Sequence, residues 1–589
     1  MTEWNKIVLV VSALVSVSAA LNGVSAQNLL QGRQQNASDM EFAAVLAAVP
    51  KEDSSSDASS AFKDASSLLK DASPAEVGLE TSVVDLVNGE SAAYGTAAEE
   101  NAAYGTAAEE KAGYGTVALG ADFEQGNLRK AQDAQTKYGI FFDADGAAEV
   151  GRFHLKGNFT FRQSFENDLK FASTFNPLRD MPYIIADSTG GDWRKQHYKM
   201  WADISTKLYK DRLSAGVAFD VEVGRGAKNI DPRPQASMSR IEVKPSLTFN
   251  TPGVMSVSAG FIYSLYRETS NMILYDSSHP QKLYLLKGLG QYTYEIFSST
   301  ERERKYDGNT LGASLNFGHT AQWGSLNLYG EYRNGLEKVY DMEFSKPHDR
   351  GNYYTHDFSC GFIADCSMVG KSRAGVVASV TYAGFRHSGR EFVQHFDSSP
   401  EVNAWITDSY LPGRYRCLED HFQAKADIYL NDASLREDWV VTAGVQWNNR
   451  DEDYRVTDSR MYTNNFRLLY GLKKSFRFKS GVLEIDTDGM WSHRISAGLE
   501  FTPRETVDTT IEDGLIMFDY DVPSSWYFHS LSAGYCWNIK GGRTLSLSGS
   551  GFFRLSRKGL VSPDNEYEYC GAGGRFWRAG CNVGVAFGF

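Results

Sequence analysis

The last fourteen residues, 576–589, read FWRAGCNVGVAFGF, and from Trp577 onward they sort by parity. Trp577, Ala579, Cys581, Val583, Val585, Phe587 and Phe589 fall on one side, with Arg578, Gly580, Asn582, Gly584, Ala586 and Gly588 on the other. A period of two is a strand with one apolar and one small or polar face. The pattern recurs along the chain: Phe153, Leu155, Phe159, Phe161 and Phe165 alternate with His154, Lys156, Asn158, Thr160 and Arg162. Leu213–Val223, Trp439–Trp447 and Tyr527–Ile539 repeat it. Soluble sandwiches rarely carry strands this long and this many. A barrel closed on itself in a bilayer pairs every edge and gives the apolar face a solvent. The expected fold is therefore all-β, a transmembrane antiparallel β-barrel of about 16 strands (range 14–18).

Composition removes the competing classes. After the amino-terminal segment no run of ~18 apolar residues occurs, so a helical span is excluded. The 31 Tyr, 34 Phe and 11 Trp supply what interfacial aromatic girdles need. A formal charge of −13 with no Lys/Arg cluster argues against a nucleic-acid partner. Cys360, Cys366, Cys417, Cys536, Cys570 and Cys581 show no CxxC and no zinc spacing. Cys360 with Cys366, or Cys417 with Cys570, could pair in an oxidising envelope, or all could be thiols on a membrane wall.

Before the strands lie two segments of different character. Residues 1–26 combine Lys6, the apolar run Ile7–Val15 and small residues Val24-Ser25-Ala26, which reads as a Sec signal peptide and implies export. Residues 27–113 are rich in Ser, Asp and Ala and repeat the unit AAYGTAAEE from Ala92 and Ala102, decaying after Ala112. Too poor in large aliphatics to bury a core, this segment is either a plug anchored by Tyr94, Tyr104 and Tyr114 or a periplasmic linker. The barrel is then 114–589.

Connections supply a second test, since such barrels alternate tight turns with longer loops. Tight turns are expected at 540–542, 479–481, 431–436, 369–371, 319–322, 251–253 and 211–212. Long connections are expected at 166–195, 225–237, 268–307, 336–353, 387–416, 450–463, 503–523 and 556–573.

The aromatic carboxy-terminal residue resembles the final strand of bacterial outer-membrane barrels. Three further stretches narrow the resemblance: Asn229-Ile-Asp-Pro-Arg-Pro234, Lys287-Gly-Leu-Gly-Gln-Tyr-Thr-Tyr294 and Tyr306-Asp-Gly-Asn-Thr-Leu-Gly-Ala-Ser-Leu-Asn-Phe317. With the strand grammar from Gly115 to Phe589, they resemble an uncharacterised family of outer-membrane barrels in Bacteroidetes-type bacteria, itself loosely similar to long-chain fatty acid transporter barrels. The resemblance implies a fold and a Gram-negative outer-membrane location, and supplies no substrate or catalytic residue. Energised TonB-dependent receptors resemble larger barrels with a folded plug domain, for which 27–113 is too short.

If the apolar face meets lipid, the other face lines the lumen. Its candidates are His154, Lys156, Arg162, Lys199, Asp220, Glu222, Lys425, Asp427, Glu484, Asp486, Asp488 and Arg494. Mixed charge of this kind suits a hydrated interior better than an apolar ligand tunnel. The Glu484, Asp486 and Asp488 line could bias cation passage or simply be a solvated wall paired to Lys425. His348-Asp349 with His356-Asp357, and His387 with His395, hold metal-ligand chemistry without a recognisable spacing, and no metal or other cofactor is expected. Catalytic motifs of the HExxH, Walker and GxSxG kinds are missing, so no enzyme is expected. Trp405, Tyr410 and Tyr415 in 399–415 could form a recognition surface or a cover. The function expected is a passive or gated transporter of small molecules, with a non-conducting accessory barrel beside another outer-membrane protein as the alternative.

Overall fold

In the computed structural model the described residues are 113–589, apart from 131, 211, 252–253, 277, 299–300, 344, 367–373, 432–436, 503–524 and 557–575. The signal peptide, Tyr94, Tyr104, Cys570 and almost all of 27–113 lie outside them. The period-two segments become strands, numbered here in chain order. Three open the wall: β1 (Tyr114–Gly126), β2 (Thr136–Val150) and β3 (Phe153–Leu169). After the two-residue β4 (Ile185–Ala186) come β5 (Gly191–Tyr209), β6 (Leu213–Lys228), β7 (Arg233–Thr251) and β8 (Met255–Ile273). Short β9 (Gln281–Leu286) and β10 (Tyr292–Phe297) precede β11 (Glu301–Ala321), β12 (Gly324–Glu343), β13 (Lys346–Asp365), β14 (Ala374–Asp397) and β15 (Ala404–Asn431). The wall ends with β16 (Glu437–Tyr454), β17 (Ser459–Phe478), β18 (Gly481–Glu500), β19 (Trp526–Asn538), β20 (Thr544–Ser556) and β21 (Phe576–Gly588).

Each wall strand pairs antiparallel with its neighbour, and β21 pairs with β1 from Thr116↔Gly588 to Gly126↔Arg578. The backbones of Gly115 and Phe589 close the seam with reciprocal 2.9 Å hydrogen bonds. The result is a closed ring of 18 strands, more than the 16 that alternation alone suggested. Eighteen is the upper bound of the expected 14–18, and the ring includes the earliest pair, β1 and β2.

A correction concerns the long connections. Four of them are continuations of the wall, with strands that end at Lys228, Glu343, Asp397 and Tyr454 and resume at Arg233, Lys346, Ala404 and Ser459. They read as loops because their outer thirds carry polar residues on both faces, where neither water nor a packed lumen demands alternation. At the opposite end, strands end at Tyr209, Thr251, Ala321, Phe478 and Asn538 and resume at Leu213, Met255, Gly324, Gly481 and Thr544, next to the expected tight turns; those expected at 369–371 and 432–436 lie outside the described residues.

Register decides which face is which. Asp122, Arg162, Glu222 and Arg240 point one way and bond one another across strands. Val257, Phe261, Leu311, Leu315, Leu468, Leu531, Val583 and Phe587 point the other way, each at least about a third exposed. This apolar outer belt is what a bilayer requires. Leu315, 65% exposed, should therefore be intolerant of charge while inward Asn316 is not. Leu315→Arg is expected to cost about 2–4 kcal/mol in lipid vesicles, and Asn316→Arg within about 1 kcal/mol, checked by urea titration of the vesicle-folded protein.

Candidate functional site

The apolar core lies inside the ring. Residues 170–190, between β3 and β5, form a strap that turns into the lumen, and residues 281–297 form a hairpin beside it. Ile185 and Ala186 pair with Leu285 and Tyr284, making β4, β9 and β10 one small sheet. From these segments Phe171, Met181, Tyr183, Ile184, Leu286 and Tyr292 pack on wall residues Tyr306, Val339, Tyr353, Tyr415, Tyr454 and Met461. Phe175 and Trp193 belong to a second cluster with Met238. Ile185 joins a third with Met272 and Leu283.

Polar latches fix where each segment sits. Asp187 takes Lys228 of β6 at 2.9 Å, with both side chains buried. The Phe175 amide donates to Glu268 of β8 at 2.6 Å. Arg179 meets Glu337 of β12 at 2.8 Å and stacks its guanidinium over Tyr266 and Tyr306. Burial alone would favour the neutral form of Arg179, but Glu337, with Tyr266 and Glu268, outweighs it and holds the guanidinium firmly charged. Next to it, Asp180 accepts from both terminal nitrogens of Arg450 of β16 at 3.1 Å. Arg304 of β11, bidentate on Asp341, donates weakly to the Tyr183 carbonyl. On the hairpin, Lys287 pairs with Glu391 of β14 at 2.8 Å and Gln291 donates to Ser459 of β17. The strap thus touches the wall from β6 round to β16.

Glycine lets the strap lie close. A Cβ on Gly351 would sit 2.6 Å from the Tyr183 ring, and one on Gly389 2.2 Å from its hydroxyl. Each buried apolar side chain contributes about 1.5–3 kcal/mol, whereas a buried ion pair is close to neutral overall and costly mainly when one partner is removed. Apolar burial therefore holds the strap in, and the ion pairs choose its position.

Nearer the tight turns the lumen is lined by polar side chains in two groups. On one side Arg162 meets Asp122 at 2.8 Å, His197 and Arg240 share Glu222, and Arg240 also holds Asp220. Lys199 lies opposite Glu222, His154 pairs with Glu149, and Lys156 sits over the Trp201 ring. On the other side Lys425 pairs with Asp427 at 3.2 Å and Glu484 lies 3.7 Å from Lys473. Asp486 and Asp488 face Lys473 and Gly471 across the β17–β18 register. Arg494 stands beside the β18 bulge, across from Asn465. Tyr114 opens β1, across from Ala147, and so belongs to the wall.

Other candidates separate. His348 pairs with Glu343 and stacks on Trp405, His387 bridges Asp357 and Tyr353, and His395 pairs with Asp408. No group of three metal-ligating side chains forms among the described residues. Cys360, Cys366 and Cys417 are free thiols, so the Cys360–Cys366 pairing is not made. Trp405 and Tyr410 lie on β15 itself, and Tyr415 is buried against the strap. Sequence reasoning missed Arg179, Asp180, Asp187, Lys228, Lys287 and Arg450. The signal was present: Met181-Pro-Tyr-Ile-Ile-Ala186 is too apolar for a solvated loop.

Comparison with known proteins adds a family. A family described as "Family of unknown function (DUF6850)" matches residues 103–587. The chain belongs to that family. Among curated proteins nothing matches. Solved structures similar to this DUF6850 member include the ferric preacinetobactin receptor BauA of Acinetobacter baumannii, 8% identical, covering 82% of this chain and 80% of that one with a TM-score of 0.36. The FrpB iron transporter of Neisseria meningitidis (F3-3 variant) is 11% identical, covering 81% and 82%, with a TM-score of 0.37. The RagAB peptide importer in its closed-closed state is 7% identical, covering 82% and 87%, with a TM-score of 0.36. The expected membership of an uncharacterised family is shown by the family match.

Removing Asp187 would leave Lys228 buried without its carboxylate, a loss of about 3–5 kcal/mol where a buried pair is broken. Asp187→Ala should release the strap, so that trypsin cuts at Lys170 and Arg179 faster while the strands stay protected. Mass spectrometry of the digest reads this, and an unchanged pattern would assign the strap's placement to apolar packing alone.

Proposed function

We propose that this protein is a gated outer-membrane barrel for small molecules, in which the strap and hairpin are the gate and the charged lumen below them is the path. The observation that supports this is the strap itself, which crosses from β6 to β16 and is fastened by ion pairs at Asp187, Arg179 and Asp180. A segment meant only to fill space could be apolar throughout. One fastened by charges has contacts that a charged solute can exchange one at a time. The lower lumen suits small hydrated solutes, because its acids and bases are paired yet partly exposed. In this reading the tight turns face the periplasm, the signal segment 1–26 exports the chain, and lipid of a Gram-negative outer membrane covers the apolar belt. Residues 27–113 act as a second plug or as a periplasmic linker, and another outer-membrane protein is a candidate partner.

Single-channel recording in planar bilayers tests the proposal. The intact protein should be mostly closed. Variants lacking 171–187, 281–297 or both, bridged by short Gly/Ser linkers, should conduct steadily, and a 27–113 deletion recorded alongside shows whether that segment also blocks. Silence from every variant, with the barrel shown folded by heat-modifiable gel mobility, would defeat the gate and leave the non-conducting accessory barrel.

A further inference from the structure

The lipid-facing side of the wall has an upper border. On β16 its outward residues run Trp439, Val441, Ala443, Val445 and Trp447, then turn polar at Asn449, Asp451 and Asp453. A strand crosses a bilayer in about 9–11 residues, and Trp439 to Trp447 fits that span. In register with Trp447 stand Phe422 on β15 and Tyr382 on β14, an aromatic collar at the lipid boundary. Beyond the collar the outward positions of β12 to β15 gather cations. Lys338, Asn352 and Arg390 form one cross-strand row, and Tyr354, Ser388 and Arg416 form the next. Arg386 stands two positions before Ser388 on β14.

These cations are unevenly matched. Asp420 holds Arg386, and Asp453 holds Arg416. Arg390 has no carboxylate among the described residues: its guanidinium lies over the Tyr354 ring at 4.9 Å, and its buried Nε has no hydrogen-bond partner. A bulge between Gly389 and Glu391 leaves it without an opposite residue on β15, an arrangement that re-aims a side chain. Lys338 is exposed and likewise makes no ion pair among the described residues. Asp349 feels its charge only from beyond ion-pair distance and accepts from Gln394 instead.

We propose that this patch binds the phosphate of an outer-leaflet lipid, held over Asn352 by Arg390 and Lys338, with the acyl chains running down the belt past Tyr382 and Phe422. Neighbouring strands lie about 4.8 Å apart, so two long side chains, one strand to either side of Asn352, reach a phosphate set above it. The guanidinium grips two phosphate oxygens in parallel hydrogen bonds and the ammonium adds a point charge. A phosphate tethered to chains on the belt meets the site at a high effective concentration, which free phosphate does not. The inference goes beyond the gate and uses only the belt and the orientation in which the tight turns face the periplasm.

Native mass spectrometry of the full-length protein in detergent tests it, with dipalmitoyl phosphatidic acid as probe and dipalmitoylglycerol as the control of equal chains without phosphate. The protein should retain the phosphatidic acid at least about tenfold better. Arg390→Gln and Lys338→Gln should each lower retention about fivefold, the worth of one basic side chain at a lipid surface. Arg225→Gln, at an exposed position on β6 away from the patch, should leave it unchanged. Equal retention of the two lipids, or retention no weaker in Arg390→Gln than in Arg225→Gln, would overturn the site and leave diffuse attraction. Displacement of the phosphatidic acid by an equal concentration of inorganic phosphate would overturn the lipid and leave a free-phosphate site.

Discussion

Eighteen strands closed into a ring enclose more space than their own inward side chains can fill. Barrels of eight strands pack their interior with the wall's own residues, whereas those of 16 to 18 leave room for water or for something else. Much of this chain's architecture answers that surplus of space. Its outward alternation is the ordinary requirement of a bilayer, but its inward face has to serve two media. Near the tight turns it meets water and is polar. Toward the other end it meets the strap and hairpin, and Tyr306, Val339, Tyr353, Tyr415 and Tyr454 turn a hydrophilic wall into an apolar seat.

The two kinds of force divide the work cleanly. Burial of Phe171, Tyr183, Ile184 and Ile185 draws the strap inward without specifying where it should stop. Ion pairs are poor sources of net stability but strict about position, since a charge placed one residue away from its partner is left bare in a dry interior. Asp187, Arg179 and Asp180 each meet a different strand, so together they define one crossing path. Glycines at 351 and 389 then let the Tyr183 ring reach the backbone of β13 and β14.

The wall was legible in the sequence because its constraint is local. Leu311 and Leu315 face lipid whatever the rest of the chain does, and a period of two reports that directly. Strand number was less legible, since β1 and β2 are rich in Gly and Ala, and small residues blur an alternation. The outer strand ends around 225–237 and 336–353 carry no alternation and so read as loops, although their backbones pair as fully as the belt does. The candidate lumen residues could be named from parity, but their partners could not: Arg240 joins Asp220 and Glu222 only through the β6–β7 register. Least legible was the strap. Its apolar stretch Met181–Ala186 signals burial, yet nothing local says that Arg450 is the residue waiting for Asp180.

Those two residues stand 270 positions apart in the chain. The strap is synthesised after only three wall strands, and its seat is built from strands made later, from Tyr306 on β11 to Met461 on β17. Contacts of such sequence separation form late, because the intervening loop must be closed first. Until β16 and β17 join the ring, the strap has half a seat and exposes Phe171, Tyr183 and Ile184. Its docking therefore waits on the later wall strands, and a chain in which β16 and β17 have not yet joined would carry its own exposed apolar segment as the sign that the seat is incomplete.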